Sequence, residues 1–325
     1  MALYVKTNIS SLQSQRHLSN VHNQLNVSYQ RLASGLRINS AKDDAAGLQI
    51  ANRLTSQING LNQGNRNAND GLAMLQTIDG GVEEITNCLQ RARTLLVQAA
   101  NGTNSKEDRL AIEQEVKGAL LGASAIATDT TFAGKQILLG HMRDNDDIYE
   151  PIPNGKNHDP GILRLQVGAN QGDQIVAEVK NFFVPQLMID KKYPTANGRN
   201  QTVEAMSNGA FTVNKAQDGT AQELIIDIST QQLASDALGA IDFVINEVSS
   251  RRAALGAYMN RLESSIRNQS NVAENQADAR SRIRDTDFAA ETATLTQKNI
   301  IQQAASSILL QSNSRPQIAL SLLSI

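Results

Sequence analysis

Large aromatic side chains are nearly missing from this chain. Phe, Trp and Tyr make up 3% of its 325 residues, and there is no Trp. A compact core is usually centred on such rings. Their scarcity argues for thin layers of helices packed through small and aliphatic residues. Cysteine is reduced to Cys88, which excludes an intrachain disulfide. Acidic residues are absent before Asp43 and after Glu291. Solvated tails carry more charge than these ends do, so both ends are expected to be buried, within the chain or between copies. The net charge of −2 offers no footprint for a nucleic-acid partner. No apolar run reaches the ~20 residues of a membrane span, so no membrane insertion is expected. The opening MALYVKTNIS lacks the apolar stretch of a secretory signal. Those rules alone point to the cytoplasm.

Proline is confined. Five of the six prolines fall between Pro151 and Pro194, and the sixth is Pro316. Interior proline breaks a helix, so two long proline-free arms flank a short middle. Both arms carry apolar residues on alternating four- and three-residue spacing. The first run is Leu18, His22, Leu25, Tyr29, Leu32, Leu36. A second is Leu54, Ile58, Leu61, Asn65, Ala68, Leu72, Leu75, Asp79, Val82, Thr86, Leu89, Arg93, Leu96, of which nine of thirteen are apolar. The C-terminal arm answers with Ala234, Ala237, Ile241, Val244, Val248, Arg251, Leu255, Tyr258, Leu262, Ser265, Gln269, Val272, Gln276. Sustained heptads predict helices packed at shallow angles.

Three local signals punctuate the arms. Ser40 followed by Asp43 predicts a capping box that restarts a helix. Asn101-Gly102-Thr103-Asn104 predicts a turn, after which Ser105 and Asp108 cap a helix to about Ala127. That helix returns antiparallel, with Leu110, Val116, Leu120 and Ile126 inward. In the middle, Leu163, Leu165 and Val167 alternate with polar residues, and Ile175, Ala177 and Val179 mirror them beyond Gly168–Gly172, predicting a hairpin. Further short strands are expected at Phe211–Val213 and Leu224–Ile228. The predicted fold class is therefore mainly α, a long antiparallel coiled-coil-like bundle made from both chain ends, with a small β-containing middle insert.

No catalytic signature converges, and neither a metal nor a cofactor is expected. His17 and His22 are five apart, off the four-residue spacing of a helical metal pair. Asp144, Asp146, Asp147 and Glu150 lack the glycine and terminal Glu of a calcium loop. His141 and His158 stand alone. The 168–172 stretch is followed by no Lys-Ser/Thr, so it reads as a turn and not as a phosphate loop. Cys88 has no neighbouring His and reads as a half-buried helix residue.

The ends carry longer signals. YQRLASGLRINSAKDDAAGLQIANRL (29–54), RNANDGLAMLQT (66–77) and LQRARTLLVQAANGTNS (89–105) resemble the N-terminal region of bacterial flagellins. ARSRIRDTDFAAET (279–292) and SILLQSNSRPQIALSLL (307–323) resemble the flagellin C-terminus. The resemblance covers about 1–140, the GANQG turn and 230–323. Arg284 departs from it, standing where the family pattern has an acid, and cysteine is uncommon in the family.

The resemblance implies a structural subunit of the flagellar filament, not an enzyme. It implies an inner helical domain from 1–43 and 284–325, and a rod-like domain from 44–180 and 229–283. A small outer insert would occupy 181–228. Implied partners are other flagellin subunits, the filament cap and hook-junction proteins, and a flagellar type III export chaperone. Export without a cleaved signal would place the protein outside the cell. Implied packing residues between subunits are Leu18, Leu25, Leu32, Ile301, Ile308, Leu320, Leu322 and Leu323. The segment LQRARTLLVQ resembles the site bound by the vertebrate Toll-like receptor for flagellin, which assigns receptor roles to Arg91, Leu95 and Glu115. Thr94 and Leu96 depart from that motif. The nearest alternative is the hook–filament junction protein, against which the intact C-terminal motifs argue. A non-polymerising coiled-coil adaptor and an enzyme are the remaining classes.

Overall fold

The computed structural model describes residues 7–140, 148–149, 161–190, 192–194, 200–202, 207–215 and 221–323. Of residues 315–323 only the helical backbone is described. The helices are α1 (Ile9–Ser34), α2 (Ala45–Ala99), α3 (Lys106–Asp129), α4 (Val184–Asp190), α5 (Gln231–Arg284) and α6 (Phe288–Leu323). Eight short strands pair as four antiparallel hairpins: β1 (Thr131–Phe132) with β2 (Lys135–Gln136), β3 (Gly161–Gln166) with β4 (Gln174–Val179), β5 (Lys192–Pro194) with β6 (Asn200–Thr202), and β7 (Phe211–Lys215) with β8 (Ala221–Ile226). The chain divides into two compact units, 60–271 and 1–59 with 272–325. The predicted fold class is the one found.

Within 60–271, α2 and α5 run antiparallel. Asn65 Nδ2 donates to Ser270 Oγ at 3.2 Å, Arg252 Nε to Asp79 Oδ1 at 2.6 Å, and Arg93 Nε to Asp242 Oδ1 at 2.5 Å. The α5 stripe lies where its spacing predicts, with Ala234, Ala237, Ile241, Val244, Val248, Leu255 and Leu262 buried. The α2 stripe is half right. Leu61, Ala68, Leu75, Val82, Leu89 and Leu96 are buried as expected. The second column is Gly71, Ile78, Ile85, Ala92 and Ala99, one residue before Leu72, Asp79, Thr86 and Arg93. Small residues at 71, 92 and 99 concealed that column, and Leu72 drew the register aside.

Helix α3 folds back through the 101–104 turn. Its N-terminus has the predicted box: the Ser105 hydroxyl accepts from Asp108 N at 3.1 Å, and Asp108 Oδ2 accepts from Ser105 N at 2.9 Å. Val116 and Leu120 are buried, but Leu110 is exposed. Arg109 turns inward instead, donating from Nε to Ala99 O at 3.0 Å and from Nη2 to Asn101 O at 3.1 Å. A guanidinium thus satisfies carbonyls that the end of α2 leaves without helical partners.

The β3–β4 hairpin has the predicted register, Leu163 opposite Ala177 and Leu165 opposite Ile175. It lies against α2 where that helix is stripped of side chains. A Cβ on Gly64 would overlap the Val167 carbonyl, and one on Gly71 would overlap Leu165. Close backbone approach is the reason for glycine there. The strands at 211 and 224 are also found. Segment 181–228 contributes side chains to the helical core. Phe182, Val184, Leu187, Met188, Phe211, Val213, Leu224 and Ile226 are buried in one cluster with α2, α3 and α5. The buried Arg251 side chain donates to Glu247 Oε1 at 2.9 Å and to the Asn181 carbonyl, tying α5 to the start of this segment.

Within 1–59 and 272–325, α1 pairs with α6. The end of α1 and the link between α5 and α6 hydrogen-bond to each other. Arg37 N donates to Arg284 O at 2.7 Å and Thr286 N to Gly35 O at 2.9 Å. Gly35 makes this turn at φ +71, a conformation that favours glycine. The restart of α2 is not capped by Ser40. Asp43 Oδ2 accepts from the Asn39 and Ser40 amides, while Asp44 Oδ1 accepts from Gly47 N at 2.9 Å and caps the helix from Ala45.

Candidate assembly surface

The seam of the α1–α6 pair mixes polar and aliphatic side chains. Asn8 Nδ2 donates to Ser312 O at 2.8 Å, and Ser11 Oγ to Asn313 Oδ1 at 2.6 Å. Lys298 Nζ donates to Ser28 Oγ at 3.0 Å. Arg31 Nη1 and Glu291 Oε2 lie 3.7 Å apart. Ser11, Ser28 and Ser312 are buried beside Leu25. The seam on α1 runs through Ser11, Leu18, Val21, Leu25, Ser28 and Leu32. His22 and Tyr29, expected in that stripe, face outward, as does His17. The heptad is entered one residue earlier at alternate positions, where Val21 and Ser28 stand.

Apolar side chains lie on the outside of the pair. Ile9, Leu12, Val27 and Tyr29 are exposed on α1, and Ile300, Ile301, Ile308 and Leu310 on α6, with Leu310 reaching 72% exposure. Scattered exposed aliphatics are ordinary, but a run of them on two paired helices marks an interaction surface. Among the expected packing residues, Leu25 is covered within the chain and Leu18 and Leu32 are half-buried, while Ile301 and Ile308 are uncovered. The side chains of Leu320, Leu322 and Leu323 lie outside the described residues. Sequence reasoning missed Ile9, Leu12, Val27, Ile300 and Leu310. The adjacent pairs Ile300-Ile301 and Leu309-Leu310 were the available signal, since neighbours in a helix point about 100° apart and need cover on two sides.

A second surface joins α2 and α3. Arg91 Nη2 donates to Glu115 Oε1 at 2.6 Å, with the two side chains 69% and 48% exposed. Leu95 is half-buried beside them. The three residues assigned to receptor binding are thus brought together, with the ionic pair engaged on itself. Cys88 is half-buried on the same helix, and burial followed by the nearby Glu84 charge pushes its thiol pKa up, which keeps it a poor nucleophile. Tyr149 donates to Ile137 O at 2.8 Å, and burial pushes its phenol up. Among the described residues, no three His, Cys, Asp or Glu side chains gather as metal ligands, and no helix is long and apolar enough to cross a membrane. His141, His158 and the run Asp144, Asp146, Asp147 and Glu150 lie outside the described residues. Among the described residues Arg284 enters no ion pair, and its carbonyl accepts from Arg37 N at 2.7 Å.

Comparison with known proteins bears on both surfaces. Residues 5–142 match the family model for the bacterial flagellin N-terminal helical region, and residues 238–323 match that for the C-terminal helical region. Flagellin D of Vibrio anguillarum is 37% identical, with 99% of this chain and 100% of that protein aligned. Polar flagellin F of Vibrio parahaemolyticus is 36% identical over 99% of this chain and 100% of its own length. Among solved structures, a putative flagellar hook-associated protein from Vibrio parahaemolyticus superposes with a TM-score of 0.52, at 14% identity, over 75% of this chain and 100% of that one. At that identity the likeness concerns the fold alone.

Proposed function

The chain belongs to the bacterial flagellin family, and from that premise we propose that its outward apolar ends dock on further copies to build the flagellar filament. It is a structural subunit of an extracellular motility organelle, not an enzyme. The observation that carries the docking surface is the set of large apolar side chains left outside the α1–α6 pair. Its seam takes serines, an amide and a lysine together with leucines, while Ile9, Leu12, Ile300, Ile301, Ile308 and Leu310 face out. Contact between unlike surfaces propagates as an open helix. Leu18, Leu25 and Leu32 hold the pair, and Ile301 and Ile308, continued by Leu320, Leu322 and Leu323, meet neighbours. The inner domain is 1–43 with 284–325, the rod 44–180 with 229–283, and 181–228 the outermost segment. Removing 307–325 tests this reading. The truncated chain should keep a folded 60–271 unit and fail to form filaments under negative stain. Normal filaments from it would end the assignment of α6 to assembly.

The remaining partners follow from the same premise. The filament cap and the hook-junction protein meet the subunit during assembly. A type III export chaperone holds the ends before passage, unfolded, through the flagellar channel, a route suited to a chain without a disulfide. The α2–α3 surface is read by the vertebrate Toll-like receptor for flagellin through Arg91, Leu95 and Glu115. Arg91 and Leu95 share a helix face, and the 2.6 Å pair with Glu115 presents a ready hydrogen-bonding edge beside an aliphatic anchor. Monomer should activate a receptor-reporter cell, and Arg91→Ala, Leu95→Ala and Glu115→Ala together should abolish the response with folding intact. A silent wild-type monomer would remove the receptor from this account and leave the filament standing.

A further inference from the structure

We propose that the Asn101-Gly102 turn is a self-modifying site, at which Asn101 converts to aspartate and isoaspartate through a cyclic imide. Five Asn-Gly pairs occur in the chain, at 59, 101, 154, 197 and 208. Asn154-Gly155 and Asn197-Gly198 lie outside the described residues. The other three sit in different surroundings, and the reaction depends on those surroundings. It needs a free Gly amide as nucleophile, a side-chain carbonyl folded over that amide, and a donor for the oxygen that becomes negative.

Asn101 has all three. Residues 101–104 form a turn closed by Asn104 N donating to Asn101 O at 3.3 Å, a bond that leaves the Gly102 amide out. Asn101 Oδ1 accepts from Thr103 N at 3.4 Å. This bond folds the carboxamide back along the intervening peptide, which carries the Gly102 nitrogen. It also places an N–H donor on the oxygen that collects charge in the tetrahedral intermediate. The turn is exposed, so water and hydroxide reach it. Gly102 carries no side chain to shield its nitrogen.

Hydroxide removes the Gly102 amide proton, and the nitrogen bonds to Asn101 Cγ. The Cγ–Nδ2 bond then breaks, and Nδ2 takes a proton and leaves as ammonia. Water adds to either imide carbonyl. Opening at Cγ gives aspartate, and opening at the Asn101 main-chain carbon gives isoaspartate. No oxidant or reductant is involved. In the isoaspartate product the carboxylate forms at the main-chain carbon whose oxygen Arg109 Nη2 holds at 3.1 Å, and Arg109 enters no ion pair among the described residues.

The other two described pairs serve as internal controls. Asn59-Gly60 lies in the interior of α2, where the glycine amide is committed to the helical ladder. Asn208 has its Nδ2 tied to Asp236 Oδ2 at 2.9 Å, which draws the carboxamide toward α5.

The test is incubation of the folded monomer at mildly alkaline pH, followed by peptide mapping that separates Asn, Asp and isoAsp. Conversion at Asn101 is expected at least about tenfold faster than at Asn59, because only Asn101 combines a free nucleophile with a positioned donor. Gly102→Ala should suppress it. The new methyl meets only the Gln231 side chain, at 3.6 Å or more, so the turn survives. Asn101→Gln, whose ring would be one atom larger, should suppress it too. Asn101 unchanged while Asn208 converts, equal rates at 101 and 59, or a Gly102→Ala rate equal to wild type would each overturn the proposal. The readout is independent of polymerisation, so it stands or falls apart from the filament reading.

Discussion

The 60–271 unit and the α1–α6 pair differ in how much of their apolar surface they cover. In the first, Ile78, Val82, Ile85, Leu89, Leu120, Ile241 and Val248 are buried, and pairs such as Arg93–Asp242 and Arg252–Asp79 ride outside. In the second, Ser11, Ser28, Lys298 and Ser312 share the seam with Leu18, Leu25 and Leu32, while further isoleucines and leucines face out. Burial of apolar surface is the main favourable term in folding. The first unit realises it within itself, whereas the paired ends leave several large apolar side chains uncovered within the chain. On the proposed reading, other copies cover them.

The largest effect expected from breaking this contrast lies in the first region. Replacing 183–226 with a short Gly/Ser linker would strip Val184, Leu187, Phe211, Val213 and Leu224 from the shared core. The variant should lose its cooperative thermal transition by near-ultraviolet absorbance or far-ultraviolet circular dichroism. A native-like melt would restore the view of this segment as a detachable insert.

A matched pair of substitutions sharpens the contrast. Ile85→Ala, at a fully buried position of α2, should cost about 2–5 kcal/mol in denaturant unfolding. Ile308→Ala, at a position 55% exposed on α6, should change monomer stability by no more than about 0.5 kcal/mol. The same Ile308 change should raise the concentration needed for polymerisation, measured by sedimentation. Equal costs in the monomer would mean the two regions are not different in kind.

Much of this was legible from residue spacing, and the failures have physical causes. The α5 stripe could be read because its apolar residues stand where the seam needs them, from Ala234 to Leu262. On α2 the seam uses Gly71, Ala92 and Ala99, and small residues do not announce burial. The Asp43 and Asp44 side chains divide a job that spacing assigned to Ser40. Leu110 was read as inward, yet the carbonyls at the end of α2 needed a donor and Arg109 turns in to supply it. Along α1 a pattern search assumes that apolar means inward. That assumption fails where serines enter the seam and large apolar side chains also stand outside it. Arg91 meets Glu115 because one tight turn fixes where α3 returns against α2.

The smallest effect concerns pH. Backbone N–H donation from Ser105 holds the Asp108 carboxyl below its ordinary 3.8, and donation from Ser40 and Asn39 does the same for Asp43. A lowered folded value means the stabilisation is fully present above 3.8. It is lost as pH falls through the folded value. Asp108→Asn should flatten the acid limb of the unfolding curve of the 60–271 unit and leave stability at neutral pH slightly reduced. An unchanged acid limb would remove the capping carboxylate from the account.

The central claim is that α1 and α6 complete their packing on other copies. Hydrogen–deuterium exchange of monomer and polymer tests it directly, since exchange reports local opening segment by segment. The account predicts fast exchange over 9–34 and 288–314 in the monomer, strong protection of the same residues in the polymer, and little change at Ile78, Ile85 or Val248. Ends already as protected in the monomer as the 60–271 core, with no gain on polymerisation, would contradict it.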